Sequence, residues 1–302
     1  MTPAGRRLDG RVAIVTGASR GLGEAIARTF AAEGAAVAVA ARTEAVFDER
    51  LPGTIHETVE DIRADGGRAV AVRADLADEA DVDRLVDEAR AALGPIDLLV
   101  NNAAVTVPGR PPAPGAPPRT PSAAPASPPD PDARAPRPTG GSFLDFPLKG
   151  YRLHFQVGLF ATYRLMQRVL PDMVELGRGS IVNISSVAAY FPGEGPYSRP
   201  LRTGLAYGGN KAAMHHLTQA VAAEMVEFGI PVNVLIPSEP VLTPGNLVAA
   251  AGEDDWADAD DFAEATVRVA LAEPATTTGR LLWSDDVLHP ERGERGWLRG
   301  RP

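Results

Sequence analysis

The sequence predicts an α/β fold: a single domain over residues 1–302, built as a doubly wound parallel sheet with helices on both faces. Three observations predict it. Short apolar runs alternate with helical stretches along most of the chain. The first apolar run leads directly into a glycine-rich turn that opens a helix. The length of 302 residues and an apolar content of 44% suit one domain with a large core.

Each element follows in order. Val12-Ala13-Ile14-Val15 is the first strand, and Thr16-Gly17-Ala18-Ser19-Arg20-Gly21-Leu22-Gly23 is the turn. An alanine-rich helical stretch, Glu24–Glu33, precedes a second parallel strand, Ala35–Ala41. A helix near Thr54–Asp65 leads to a strand at Arg68–Arg73, and a helix near Glu79–Leu93 leads to a strand at Ile96–Val100. Tyr151–Glu175 reads as one long helix, Ser180–Ile184 as a strand, Ala206–Phe228 as a helix and Pro231–Ile236 as the last assigned strand.

One segment breaks the alternation. Residues from about 105 to 142 hold 13 of the chain's 28 prolines and almost no large apolar side chains. Such a stretch cannot bury enough surface to offset its ordering entropy. It reads as a disordered or polyproline-like insertion within the domain. The strand before it and the helix after it still make sense once it is removed.

Composition excludes several classes. A net charge of −9 argues against non-specific nucleic-acid binding. No run approaches the ~18 apolar residues of a membrane span, and Met1–Gly10 lacks the apolar region of a signal peptide, so a cytoplasmic protein with no membrane partner is expected. The absence of cysteine removes disulfide and thiolate chemistry. His56, His154, His215, His216 and His289 show no ligand spacing, so no metal is expected. Asp254, Asp255, Asp258, Asp260 and Asp261 read as a solvated acidic turn.

Two patterns carry chemistry. Glycines in the first turn permit a tight bend and let backbone approach a pyrophosphate at the positive end of the following helix. The other pattern is Tyr207-Gly208-Gly209-Asn210-Lys211. The chain has 30 basic side chains, and all but Lys149 and Lys211 are arginine. Four residues apart on a helix, Tyr207 and Lys211 share a face. A compact ammonium there favours the phenolate, which predicts a tyrosine pKa lowered towards neutrality and a group able to exchange a proton with an alcohol or carbonyl oxygen.

With Asp75-Leu76, Asn101-Asn102-Ala103-Ala104 and Ser185-Ser186 falling between these two patterns, the chain from about residue 8 to 245 resembles the short-chain dehydrogenase/reductase family. The resemblance implies a Rossmann-like domain and hydride transfer between a nicotinamide dinucleotide and a small carbonyl or alcohol substrate. It implies that Gly17, Ser19, Arg20, Gly21, Leu22 and Gly23 form the cofactor turn. Asp75 would hydrogen-bond the adenine amine with Leu76 against the ring, and Asn102 and Ala103 would line the adenosine ribose. Ser186 would hold the substrate oxygen and Ser185 would be structural. Tyr207 would be the proton donor or acceptor, and Lys211 would bind the nicotinamide ribose as well as tune Tyr207. Beyond Pro237-Ser238, Val241 and Thr243 would reach the carboxamide. A homodimer or homotetramer is expected.

Cofactor choice depends on the end of the second strand, where an acidic residue would bind a ribose 2′-hydroxyl. This chain has neutral Ala41, then Arg42, with Arg20 in the turn. Two guanidinium groups suit a 2′-phosphate, so NADP(H) is favoured over NAD(H).

The chain departs from the family pattern twice. Gly158 stands where the family usually has an asparagine whose carbonyl holds a water of the proton relay; Gln156 is near, but turned to another face. The 20 residues between Ser186 and Tyr207 exceed the usual spacing and carry Pro192, Pro196 and Pro200, which suggests a lip over the substrate. A cofactor-binding sensor or assembly subunit without catalysis is the alternative of a different class, and a lyase or epimerase on the same scaffold is a third.

Overall fold

The computed structural model describes residues 6–105, 143–144, 146–198, 204–249 and 256–293. Seven strands form one sheet in the order β3-β2-β1-β4-β5-β6-β7, with every pair parallel. They are β1 (Val12–Thr16), β2 (Ala36–Ala41), β3 (Arg68–Arg73), β4 (Leu98–Asn101), β5 (Ser180–Ile184), β6 (Val232–Ile236) and β7 (Leu281–Trp283). β1 and β4 are neighbours in the middle, so the chain changes direction across the sheet between them. Ligands in such sheets bind beyond the carboxyl ends of the strands at that switch.

Central strands are apolar along their whole length because both faces are covered. Ala13 and Val15 of β1 pack towards α1 (Gly21–Ala32), α2 (Ile55–Ala64) and α8 (Ala259–Ala270), where Ile26, Phe30, Val59 and Phe262 are buried. Ile14 packs the other way, with Leu85 and Val86 of α3 (Glu79–Leu93) and Leu165 and Val169 of α5 (Ala161–Leu176). The entry to the sheet is pinned by buried Asp97, which accepts from the Val12 backbone N–H at 2.7 Å, from Arg11 at 2.6 Å and pairs with Arg178 at 3.0 Å.

The strand and helix expectations match the structure within a few residues, with three differences. The long helix expected over Tyr151–Glu175 is α4 (Leu148–Phe155) and α5 joined by a π-helical turn, Gln156–Phe160, in which the Ala161 N–H reaches the Gln156 carbonyl. Its extra residue per turn is centred on Gly158. The acidic run read as a solvated turn contains the start of α8: Asp258 accepts from the Asp260 N–H at 2.9 Å, and Asp260 and Asp261 lie in the first turn, where negative charge meets the positive helix end. Finally, α7 (Pro244–Ala249), β7 and α9 (Ser284–Leu288) extend the fold beyond the last assigned strand. The proline-rich insertion, apart from Val105, lies outside the described residues, as do residues 199–203 of the expected lip.

Candidate functional site

The glycine turn is held by two side chains bonded to main chain. Thr16 Oγ1 accepts from the Asn102 and Ala103 N–H groups at 3.0 and 3.1 Å, and Asn102 Nδ2 donates to the Thr16 carbonyl at 2.8 Å. This clamp joins the ends of β1 and β4. Gly17 has φ +67°, and a Cβ there would stand 2.9 Å from the Ala103 Cα. At Gly23 a Cβ would stand 2.3 Å from the Gly17 carbonyl oxygen, and at Gly21 (φ +58°) it would meet Thr243 Cβ at 3.1 Å. All three glycines are thus required by close approach, and the α1 N-terminus begins with no side-chain cap from Arg20. Backbone N–H groups at such a terminus suit a phosphate.

Around the turn, Ser19 is buried and Leu22 packs on the core. Arg20 is half-buried: its guanidinium donates to the Leu51 and Gly53 carbonyls at 2.7 and 3.1 Å and lies over the Phe47 ring at 6.0 Å. Burial lowers its pKa, the Asp48 charge raises it, and the neighbouring Arg42 charge lowers it again. Asp75 is buried and accepts from the Ala77 N–H at 3.1 Å, while Leu76 is buried in the core beside α3. Val241 is buried, bridges to Ala257 and accepts from Asn246 Nδ2 at 2.8 Å; Thr243 Oγ1 accepts from the Asn246 N–H at 3.1 Å.

Ser186, Tyr207 and Lys211 come together on the next strand of the sheet. Tyr207 and Lys211 lie on α6 (Leu205–Met225), which packs beside β5. Ser186 follows β5 in extended conformation, caps a short 3-10 turn by accepting from the Ala188 N–H at 3.2 Å, and lies near enough to the Tyr207 hydroxyl to lower its pKa. Lys211 is buried; its Nζ donates to the Ile184 carbonyl at 2.5 Å and stands 5.8 Å from the centre of the Tyr207 ring.

The expected direction of the Tyr207 shift is overturned. Burial is the larger influence and raises the phenol pKa above its ordinary value, while the nearby Ser186 side chain works against it. Burial also brings Lys211 down to about 8. At neutral pH the ammonium remains mostly charged.

Gly158 has a physical reason. A Cβ there would stand 2.2 Å from Asn210 Oδ1 on the facing helix. Asn210 is buried, donates through Nδ2 to the Ala206 and Tyr207 carbonyls at 2.7 and 2.9 Å, and has an Oδ1 with no hydrogen-bond partner. The Gly158 carbonyl accepts from Thr162 Oγ1 at 3.1 Å. Sequence reasoning missed Thr16, Asn210 and His215. The signal for the last was its spacing, four residues beyond Lys211 and on the same face.

Among the described residues no group of three or more possible metal ligands lies together, and no helix is long and apolar enough to cross a membrane.

Comparison with known proteins agrees with this fold. The family pattern described as short chain dehydrogenase matches residues 11–114 and 135–248. The 7alpha-hydroxysteroid dehydrogenase of Escherichia coli (strain K12) is 32% identical over 231 residues, 76% of this chain and 71% of that protein. A short chain dehydrogenase from Burkholderia cenocepacia J2315, solved with NADP, superposes with a TM-score of 0.69 at 28% identity, over 92% of this chain and 97% of that one. A 7 alpha-hydroxysteroid dehydrogenase solved with NADH and 7-oxo glycochenodeoxycholic acid gives 0.68 at 28% identity, over 92% and 94%. The chain belongs to the short-chain dehydrogenase/reductase family.

Proposed function

We propose that this member of the family is an NADP(H)-dependent oxidoreductase that transfers a hydride between nicotinamide and a carbonyl or secondary alcohol, with Tyr207 as general acid/base. The observation that carries the proposal is the Lys211 ammonium 5.8 Å from the centre of the Tyr207 ring on the same helix face, with Ser186 beside the Tyr207 hydroxyl. The residues fit a dinucleotide: three glycines leave room only for backbone, and the α1 N-terminus offers N–H groups to a pyrophosphate.

When bound, the nicotinamide supplies or accepts the hydride. The chain supplies everything that happens at oxygen. Ser186 holds the substrate oxygen beside Tyr207. In reduction Tyr207 donates the proton to that oxygen; in oxidation it removes it. Lys211 favours the phenolate by its charge and holds the nicotinamide ribose. Asp75, Leu76, Asn102 and Ala103 take the adenosine end, and Val241 and Thr243 the carboxamide. The substrate is a small molecule. The exposed row Leu153, Phe160, Tyr163 and Val174 supports a homodimer or homotetramer as part of the same proposal. Light scattering tests that part, and a monomer at micromolar concentration would end it.

The preference for NADP(H) rests on Arg20 and Arg42. A 2′-phosphate beside them would be attracted by both charges; at Arg20 the Asp48 charge, itself paired with Arg50, already outweighs that of Arg42. The test is a fluorescence titration with NADPH and NADH, followed by a screen of carbonyl compounds for NADPH oxidation. Tighter NADPH binding and a reduced carbonyl are expected. Equal affinities remove the cofactor preference; no turnover of any carbonyl or alcohol favours the non-catalytic reading.

A further inference from the structure

Helix α6 meets the end of β5 through a ladder of side chains. Tyr207, Lys211, His215 and Thr218 are four, four and three residues apart, so they share one face. Each pairs with a different member of four consecutive residues. Asn183 Nδ2 donates to Thr218 Oγ1 at 2.9 Å. Lys211 Nζ donates to the Ile184 carbonyl at 2.5 Å. Ser185 Oγ and His215 Nε2 are hydrogen-bonded at 2.7 Å. At the last step Ser186 faces the Tyr207 hydroxyl.

We infer that His215 is a positioning residue for the reacting pair, acting through Ser185; the inference rests on the oxidoreductase reading of this site. Ser185 and His215 are both buried, so this rung is shielded from water. It is the only rung that grips a side chain immediately before Ser186. The imidazole is also braced from the other side, because the Tyr190 ring lies 5.4 Å from it and stacks on Trp283 at 5.7 Å. Burial, with the Lys211 charge beside it, holds His215 down to about 4, which keeps the ring neutral at working pH. A neutral imidazole between Lys211 and Ser185 adds no second positive charge to the site. Without this rung Ser185 keeps its backbone bond to the Leu235 carbonyl at 2.8 Å, but loses the tie that sets its distance from α6. Ser186 is the next residue, so its hydroxyl drifts relative to Tyr207.

The experiment compares His215→Leu, His215→Gln, Ser185→Ala and the Ser185→Ala/His215→Leu double variant. Leucine keeps apolar volume and removes the bond; glutamine can place a polar atom near the lost Nε2. Two readouts are used: steady-state reduction of a carbonyl found in the screen, and the ¹³C shift of the Tyr207 ζ carbon in protein without cofactor, assigned with Tyr207→Phe. His215→Leu and Ser185→Ala should each lower kcat about 10- to 100-fold, the scale of a small misplacement at a reacting group. NADPH affinity should stay within about twofold of wild type in both. The double variant should be no worse than either single one, because one bond is lost once. His215→Gln should recover most of the rate, and the Tyr207 ζ carbon should shift in the first two variants but not in this one. A folded His215→Leu or Ser185→Ala with wild-type kcat and an unshifted ζ carbon overturns the inference, as do additive losses or a His215→Gln as impaired as His215→Leu. Should His215→Leu fail to fold, Ser185→Ala decides. If wild type reduces no carbonyl, the oxidoreductase reading fails, and the ζ-carbon shift alone decides the latch.

Discussion

The cofactor turn and the π turn that faces α6 each contain a glycine with no room for a methyl group, but different atoms occupy the room. At Gly23 the obstacle is the Gly17 carbonyl, 2.3 Å from where a Cβ would stand; at Gly158 it is the Asn210 side chain, at 2.2 Å. Backbone cannot be exchanged, and a side chain can. Gly23 is therefore fixed by backbone, while Gly158 faces a side chain that a second substitution can rebalance. That difference bears on one of the two departures from the family pattern: the glycine turn matches it, and Gly158 lies opposite an asparagine side chain.

The largest expected effect separates the two regions outright. Tyr207→Phe should lower turnover by about 10²–10⁴-fold, as for a lost general acid or base, and leave NADPH affinity almost unchanged. A variant retaining more than a tenth of the rate would mean that another acid operates.

The two glycines come next. Gly23→Ala should cost about 3 kcal/mol, the upper part of the range for overpacking, and weaken NADPH binding. Adding Asn102→Ala should not help, since the Gly17 carbonyl remains. Gly158→Ala should cost about 1–3 kcal/mol, and Asn210→Ala in the same chain should recover most of it. Chemical denaturation of the four variants reads this directly. A rescued Gly23→Ala or an unrescued Gly158→Ala would break the comparison.

Smaller still is Arg42→Ala, expected to narrow the gap between NADPH and NADH by about 1–2 kcal/mol for a charge-assisted contact open to solvent. Parallel titrations measure it, and an unchanged gap would assign the preference elsewhere.

The smallest effect belongs to neither region. Glu264, held by Arg7 and Arg268, has a pKa lowered from 4.5 to about 2. A depressed carboxylate stabilises fully above its unfolded value, and that contribution is lost as pH falls from about 4.5 through about 2. Partial exposure limits it to about 1 kcal/mol. Glu264→Gln should therefore melt lower than wild type at pH 7, with the difference closing near pH 2–3. Turnover at neutral pH should not change.

The same division governs what could be read from the sequence. β1–β6 were legible because apolar residues buried on both faces leave a continuous run, and the turn was legible because only glycine fits it. The π turn was not, since residues 151–175 keep a periodicity that an ordinary helix also satisfies. β7 is three residues long and carries no pattern. Tyr207 and Lys211 were found from spacing, whereas the direction of the tyrosine shift needs the burial that only the packed structure supplies. His215 was visible as a residue but not as a partner, because Ser185 reaches it only across the β5–α6 contact.

The approach of Gly21 to Thr243 has a consequence for the order in which the molecule is made. The glycine turn leaves the ribosome some two hundred residues before Thr243. The cradle's last wall thus arrives when β1–β6 are already outside the exit tunnel. A nascent chain arrested before that residue can pair its early strands, but it has no closed seat for a dinucleotide, so binding on the ribosome should begin only once the segment after β6 has emerged.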